Sequence, residues 1–170
     1  MNILVCVDFS DGLPKLIAET KLLANALSSK VWLLHVAEPK PGMIPYTGSY
    51  VDYGSGFVDY GPDPKVLRDQ VAQKFHAEHR ALQKEAEGLR GAKIETTALL
   101  IQGAVIKTIL EEAEKLTIDL IILGSHGHGA VYSLLVGSVS EGVLKNAVCP
   151  VLVIPTHEGP RQKIKAKAKK

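Results

Sequence analysis

The sequence predicts an α/β domain: a single open parallel sheet of five strands with helices on both faces. Three observations carry this. Short aliphatic runs at residues 3–7, 31–36, 94–101, 118–123 and 151–154 recur along the 170-residue chain. Stretches with apolar residues at helical spacing lie between them, which is the alternation of βα units. The first run, 3–7, is also continuous rather than alternating, which suits a strand covered on both faces of a parallel sheet. A chain with 46% apolar and 22% charged residues has an ordinary composition for one packed domain.

Residues 3–7 give the first strand, and Asp8-Phe9-Ser10-Asp11-Gly12 turns out of it. Ser10 or Asp11 offers an N-cap to a helix with Pro14 in its first turn and Leu16, Ile17, Leu23, Ala24 and Leu27 on one face. The second strand is 31–36. Residues 39–64 then change character, with glycine, proline and tyrosine dominating, and form a long loop insertion that cannot hold a regular helix. From 65 to about 88 a charged helix carries a narrow stripe at Leu67, Val71, Phe75 and Leu82. The third strand, 94–101, turns at Gln102-Gly103 into a helix bearing Ile106, Ile109, Leu110, Ala113 and Leu116. The fourth strand, 118–123, empties into glycines at 124, 127 and 129. Residues 138–146 make a short helix with Val139, Val143 and Ala147 inward, and 151–154 make the last strand. Residues 157–170 form a basic tail without periodicity, expected to be disordered.

A strand, a glycine loop and a helix start, in that order, describe an anion site: the first amides of a helix lack internal partners and lie at its positive end. Two familiar phosphate loops do not fit. Gly124 and Gly129 have P-loop spacing, but Ala130 and Val131 stand where lysine and Ser/Thr are required. The dinucleotide fingerprint needs a glycine where Tyr132 stands.

What the residues do form is Gly124-x2-Gly127-x9-Gly137-Ser138, followed by a helix and a final strand. This resembles the nucleotide-binding signature of the universal stress protein family, ATP-binding type. Val5-Cys6-Val7-Asp8-Phe9-Ser10 resembles that family's first strand and acidic turn, Leu33-Leu34-His35-Val36 its second strand, and residues 150–155 its last. The resemblance covers residues 1–156 apart from the 39–64 insertion. It implies a Rossmann-like sheet of the adenine nucleotide alpha hydrolase-like kind, with strand order 3-2-1-4-5 and the binding crevice between the first and fourth strands. By the same resemblance, Cys6, Val7 and Asp8 lie beside the nucleoside, and the Val36 backbone reads the adenine edge. Leu123, Gly124, His126 and Gly127 would follow ribose and phosphates, while Gly137, Ser138, Val139 and Ser140 would hold the phosphate tail. The implied ligand is ATP, with AMP or another adenine nucleotide possible, bridged by Mg²⁺. The implied assembly is a homodimer through the 151–154 strand.

Other features read more plainly. His126 and His128 flank Gly127, yet without a third ligand they suit phosphate oxygens better than zinc. His35 reads as a core residue, and His76 and His79 lie on a polar helix. Tyr46, Tyr50, Tyr53, Phe57 and Tyr60 could form a lid. The net charge of +2 hides an asymmetry: residues 161–170 hold six basic residues and no acid, and without them 14 basic stand against 18 acidic. The body is therefore mildly acidic, which argues against a nucleic-acid surface. Cys6 and Cys149 have no metal-ligand or redox spacing. With no membrane-length apolar run and no secretory pattern, the expectation is a cytoplasmic protein that binds no membrane. The function expected is a nucleotide-binding stress-response module acting as sensor or switch, with an unknown protein partner. The rivals are a slow ATPase or nucleotidyl-transfer enzyme on the same sheet, and a structural dimer without nucleotide. No general base is evident in the loop.

Overall fold

The five aliphatic runs pair into one sheet. The computed structural model describes residues 1–38, 64–125 and 137–156. Along them, β1 (Asn2–Cys6), α1 (Leu13–Ala26), β2 (Lys30–Ala37), α2 (Pro64–Gly91), β3 (Thr96–Gln102), α3 (Val105–Lys115), β4 (Leu120–Gly124), α4 (Ser138–Asn146) and β5 (Val151–Ile154) alternate in chain order. Every pairing is parallel, and the spatial order is β3-β2-β1-β4-β5, as the resemblance implied.

Central strands explain why these runs are so apolar. Ile3, Leu4 and Val5 of β1, like Ile121, Ile122 and Leu123 of β4, are buried in succession, so both faces of the sheet are covered. Ile3, Val5 and Leu33 point to one layer with Leu16 and Ala24 of α1 and Leu82, Ala86 and Leu89 of α2. Leu4, Leu34 and Ile121 point to the other, with Ile109 and Ala113 of α3 and Val143 of α4. Burying each such aliphatic side chain stabilises by roughly 1.5–3 kcal/mol.

Three details differ from the sequence expectation. Neither Ser10 nor Asp11 caps α1 with a side chain; Gly12 is the N-cap, and the Leu13 amide donates to the Ser10 carbonyl at 2.9 Å. The cause is an earlier turn: Phe9 takes φ 56°, and Asp8 Oδ1 accepts the Ser10 amide at 3.0 Å. In α2 the burial shifts toward the carboxyl end, at Leu82, Ala86 and Leu89, while Phe75 stays 37% exposed. That helix also runs past Gly88 to Gly91. No helix among the described residues is long and apolar enough to cross a membrane.

Candidate functional site

Beyond β1, the chain goes one way into β2 and the other way into β4, so the carboxyl ends of β1 and β4 open a crevice where the sheet's order reverses. Cys6 lies in register with both Leu34 and Leu123. Val7, Asp8, Val36 and Gly124 therefore lie at the same end of the sheet. Asp8 is exposed there, with one carboxylate oxygen engaged by the Ser10 amide.

The two halves of the glycine signature meet at Ser125. Its amide donates to the Ile154 carbonyl at 2.8 Å, extending the β4–β5 ladder by one rung, and its carbonyl accepts the Gly137 amide at 2.9 Å. Its Oγ accepts the Thr156 amide at 3.2 Å. From α4, Ser140 Oγ donates to the Gly124 carbonyl at 2.9 Å. Four bonds thus hold the end of β4, the start of α4 and the exit of β5 together.

Gly137 is the N-cap of α4 and makes no side-chain cap bond. The amides of Ser138, Val139 and Ser140 belong to the first turn, where a helix offers no internal acceptor. They stand beside the Gly124 carbonyl end at the positive pole of the helix. Ser138 is exposed, so its hydroxyl is also accessible, whereas Ser140 is buried and its hydroxyl is committed to Gly124. Glu141 would place a negative charge in the same turn. A hydrogen bond and the charge of Lys145, at 2.7 Å, hold its carboxyl below the usual range and balance it.

His35 is buried, as expected of a core residue, but it is not inert. Nδ1 lies 2.8 Å from the Val7 carbonyl, which can only accept, so Nδ1 carries the hydrogen. Nε2 faces Glu78 Oε1 at 3.8 Å, and Lys74 lies 3.2 Å from the same oxygen. The Phe9 ring packs against the imidazole, tilted, with centroids 4.5 Å apart. Cys6 and Cys149 are half-buried free thiols. Burial pushes both up from the ordinary thiol range, with the charge of Asp119 adding to the effect at Cys149.

Of the expected site residues, Cys6, Val7, Asp8, Val36, Leu123, Gly124, Gly137, Ser138, Val139 and Ser140 gather at this end of the sheet. His126 and Gly127 lie outside the described residues, as do His128, the 39–64 loop aromatics and the basic tail. Among the described residues no three His, Cys, Asp or Glu side chains form a metal cluster. Sequence reasoning passed over Ser125, Thr156 and Gly12. A Cβ on Gly12 would sit 2.5 Å from Thr156 Cβ, so only glycine lets α1 approach the exit of β5. Ser125 lay inside the signature itself, yet its partner is 31 residues away and no local pattern marks it.

The profile of the universal stress protein family matches residues 1–155. The chain belongs to the universal stress protein family. A universal stress protein of Thermus aquaticus is 34% identical over 153 residues, covering 90% of this chain and 97% of that one. Universal stress protein MJ0531 of Methanocaldococcus jannaschii is 29% identical over 133 residues, covering 78% of this chain and 68% of that one. Among solved structures, the hypothetical protein MJ0577 superposes with a TM-score of 0.73 at 22% identity, covering 93% and 97% of the two chains. UspA of Lactobacillus plantarum gives 0.71 at 24% identity, covering 91% and 97%. A universal stress protein solved with cAMP gives 0.63 at 16% identity, covering 92% and 98%. The shared element order is that of the Rossmann-like universal stress protein fold.

Proposed function

We propose that this universal stress protein binds ATP in the crevice between β1 and β4 and works as a nucleotide-dependent sensor or partner-binding switch in the cytoplasm. The observation that supports it most is the clasp at Ser125, which seats the uncapped first turn of α4 beside Gly124. Main-chain amides converging at a helix start can gather phosphate oxygens without a lysine. A nucleotide rather than a free phosphate fits the crevice because it continues past Asp8 to Val36, which would meet ribose and base. Relatives of the same fold have been solved with cAMP and with dAMP, so the fold accommodates adenine nucleotides in those proteins.

Asp8 is the carboxylate at the crevice and suits a hard cation; Mg²⁺ held between it and the phosphates would neutralise their charge. His126 and Gly127 would complete the phosphate loop. Hydrolysis would be slow, since the signature carries neither the lysine nor the arginine that stabilise a phosphoryl transition state. Exposed Leu144, Val148 and Leu152 lie on and beside the edge strand β5, which supports a two-fold dimer that pairs this edge with its twin.

Mass spectrometry of the small molecules released from freshly purified protein tests the assignment. The expected result is ATP in near-stoichiometric amount, or its uptake when the stripped protein is incubated with ATP and Mg²⁺. Protein that carries no nucleotide and takes none up would overturn it.

A further inference from the structure

Among the described residues, His35 is the one buried ring that reaches the crevice, and its hydrogen bond falls where the sheet should have continued. In β2, Leu34 turns its polar edge toward β1, because its carbonyl accepts the Val7 amide at 2.9 Å. Backbone polar groups alternate sides along a strand, so Val36 turns its N–H and C=O the same way. The next rung would run from the Val36 amide to the Val7 carbonyl, followed by one from the Phe9 amide to the Val36 carbonyl. Neither is among the backbone bonds of the described residues. Phe9, at φ 56°, turns the chain away from the second rung. The first is pre-empted, because His35 Nδ1–H donates to the Val7 carbonyl at 2.8 Å.

We infer that His35 is a positioning residue for the nucleotide base: by taking the Val7 carbonyl it ends the β1–β2 ladder one rung early and leaves the Val36 N–H and C=O pair open to the ligand. A donor next to an acceptor on one strand edge matches the acceptor and donor of adenine N1 and N6, and mismatches the reversed edge of hypoxanthine. The ring is held for this task by the Val7 carbonyl and by the Phe9 face packed against it. Selectivity for adenine at the Val36 edge would thus depend on a histidine that does not itself bind the base.

This inference rests on the nucleotide reading above, and the test separates the two. Calorimetry with ATP and with ITP, which share the triphosphate and ribose, is run on wild type, His35→Asn and His35→Leu. Asparagine keeps an N–H donor near the Nδ1 position; leucine has none. The expected result is a preference for ATP of tenfold or more in wild type and His35→Asn, collapsing toward equal affinity in His35→Leu through weaker ATP binding alone. A His35→Leu protein that binds ATP and keeps the wild-type ratio overturns the inference, whereas a wild type that binds neither nucleotide overturns the nucleotide reading as well. Should His35→Leu not fold, hydrogen exchange of the wild type decides. A Val36 amide that exchanges much faster than that of Leu34 without ligand, and slows on adding ATP, supports the inference. A Val36 amide already protected without ligand contradicts it.

Discussion

Ser140 Oγ donates to the Gly124 carbonyl from a residue only 4% exposed. Removing that hydroxyl leaves a part-buried acceptor with one partner fewer, at a typical cost of about 1–3 kcal/mol. Ser140→Ala is therefore expected to unfold at lower urea concentration with an unchanged slope, and to bind ATP more weakly because Gly124 is no longer tied to α4. Cys6 makes a second residue-scale prediction. Its thiol is raised by burial, so in the folded protein it stays protonated where an unfolded chain would already ionise. Ionisation then favours the unfolded state: the protein should lose stability as pH rises above about 9, by up to about 1.4 kcal/mol per pH unit. Denaturation curves between pH 8 and pH 10 would show this, and Cys6→Ala would flatten the decline. At this scale the sequence was legible where chemistry is local, as for Asp8 at a strand end. It was silent where partners are distant, as for Ser125 with Thr156 and His35 with Val7.

Helix ends show why element boundaries were harder to place than elements. α1, α2 and α3 all finish the same way: the amides of Ser29, Ile94 and Ile118 reach back to the carbonyls of Ala24, Leu89 and Ala113. Each has a left-handed residue just before, Ser28 at φ 48°, Lys93 at φ 63° and Thr117 at φ 50°. These are Schellman closures built without glycine. A reader looking for glycine stops α2 at Gly88, three residues early, because the true signal is a conformation that lysine does not advertise. Thr117 is the most strained of the three, being β-branched. Thr117→Gly should stabilise the protein by about 0.5–1 kcal/mol after the extra chain entropy of glycine is subtracted, seen as a higher urea midpoint. The start of α1 behaves oppositely. Gly12→Ala drives a Cβ to 2.5 Å from Thr156 Cβ, and overpacking of this kind costs typically 1–3 kcal/mol. Adding Thr156→Gly should restore much of that loss in a double-mutant cycle.

Across the molecule, periodicity yields the alternation of strands and helices but not the order of strands, since any parallel arrangement buries the same aliphatic runs. The order became legible only through the resemblance at both chain ends, where Val5-Cys6-Val7-Asp8 and the glycine signature predict one crevice. The structure brings the described parts of these segments to one end of the sheet through the Cys6–Leu123 register and the Ser125–Gly137 bond. The β5 edge of the sheet bears on assembly. Leu152 in β5 is 37% exposed and Val148, in the turn before it, 79%, and an apolar edge of this kind is blunted by charge. Leu152→Lys is expected to turn a dimer into a monomer in light scattering without lowering ATP affinity per chain; a wild type that is monomeric at high concentration would refute the dimer.

The central claim is that amides at the start of α4, clasped against Gly124, hold the polyphosphate. Gly137 sits at φ −58° and ψ 156°, a conformation valine also adopts, so Gly137→Val crowds those amides without straining the backbone. Calorimetric titration of wild type and Gly137→Val with ATP and Mg²⁺ is the direct measurement. The account predicts one ATP per wild-type chain and at least a tenfold loss of affinity in the variant at unchanged urea stability; equal affinity in the two proteins would contradict it.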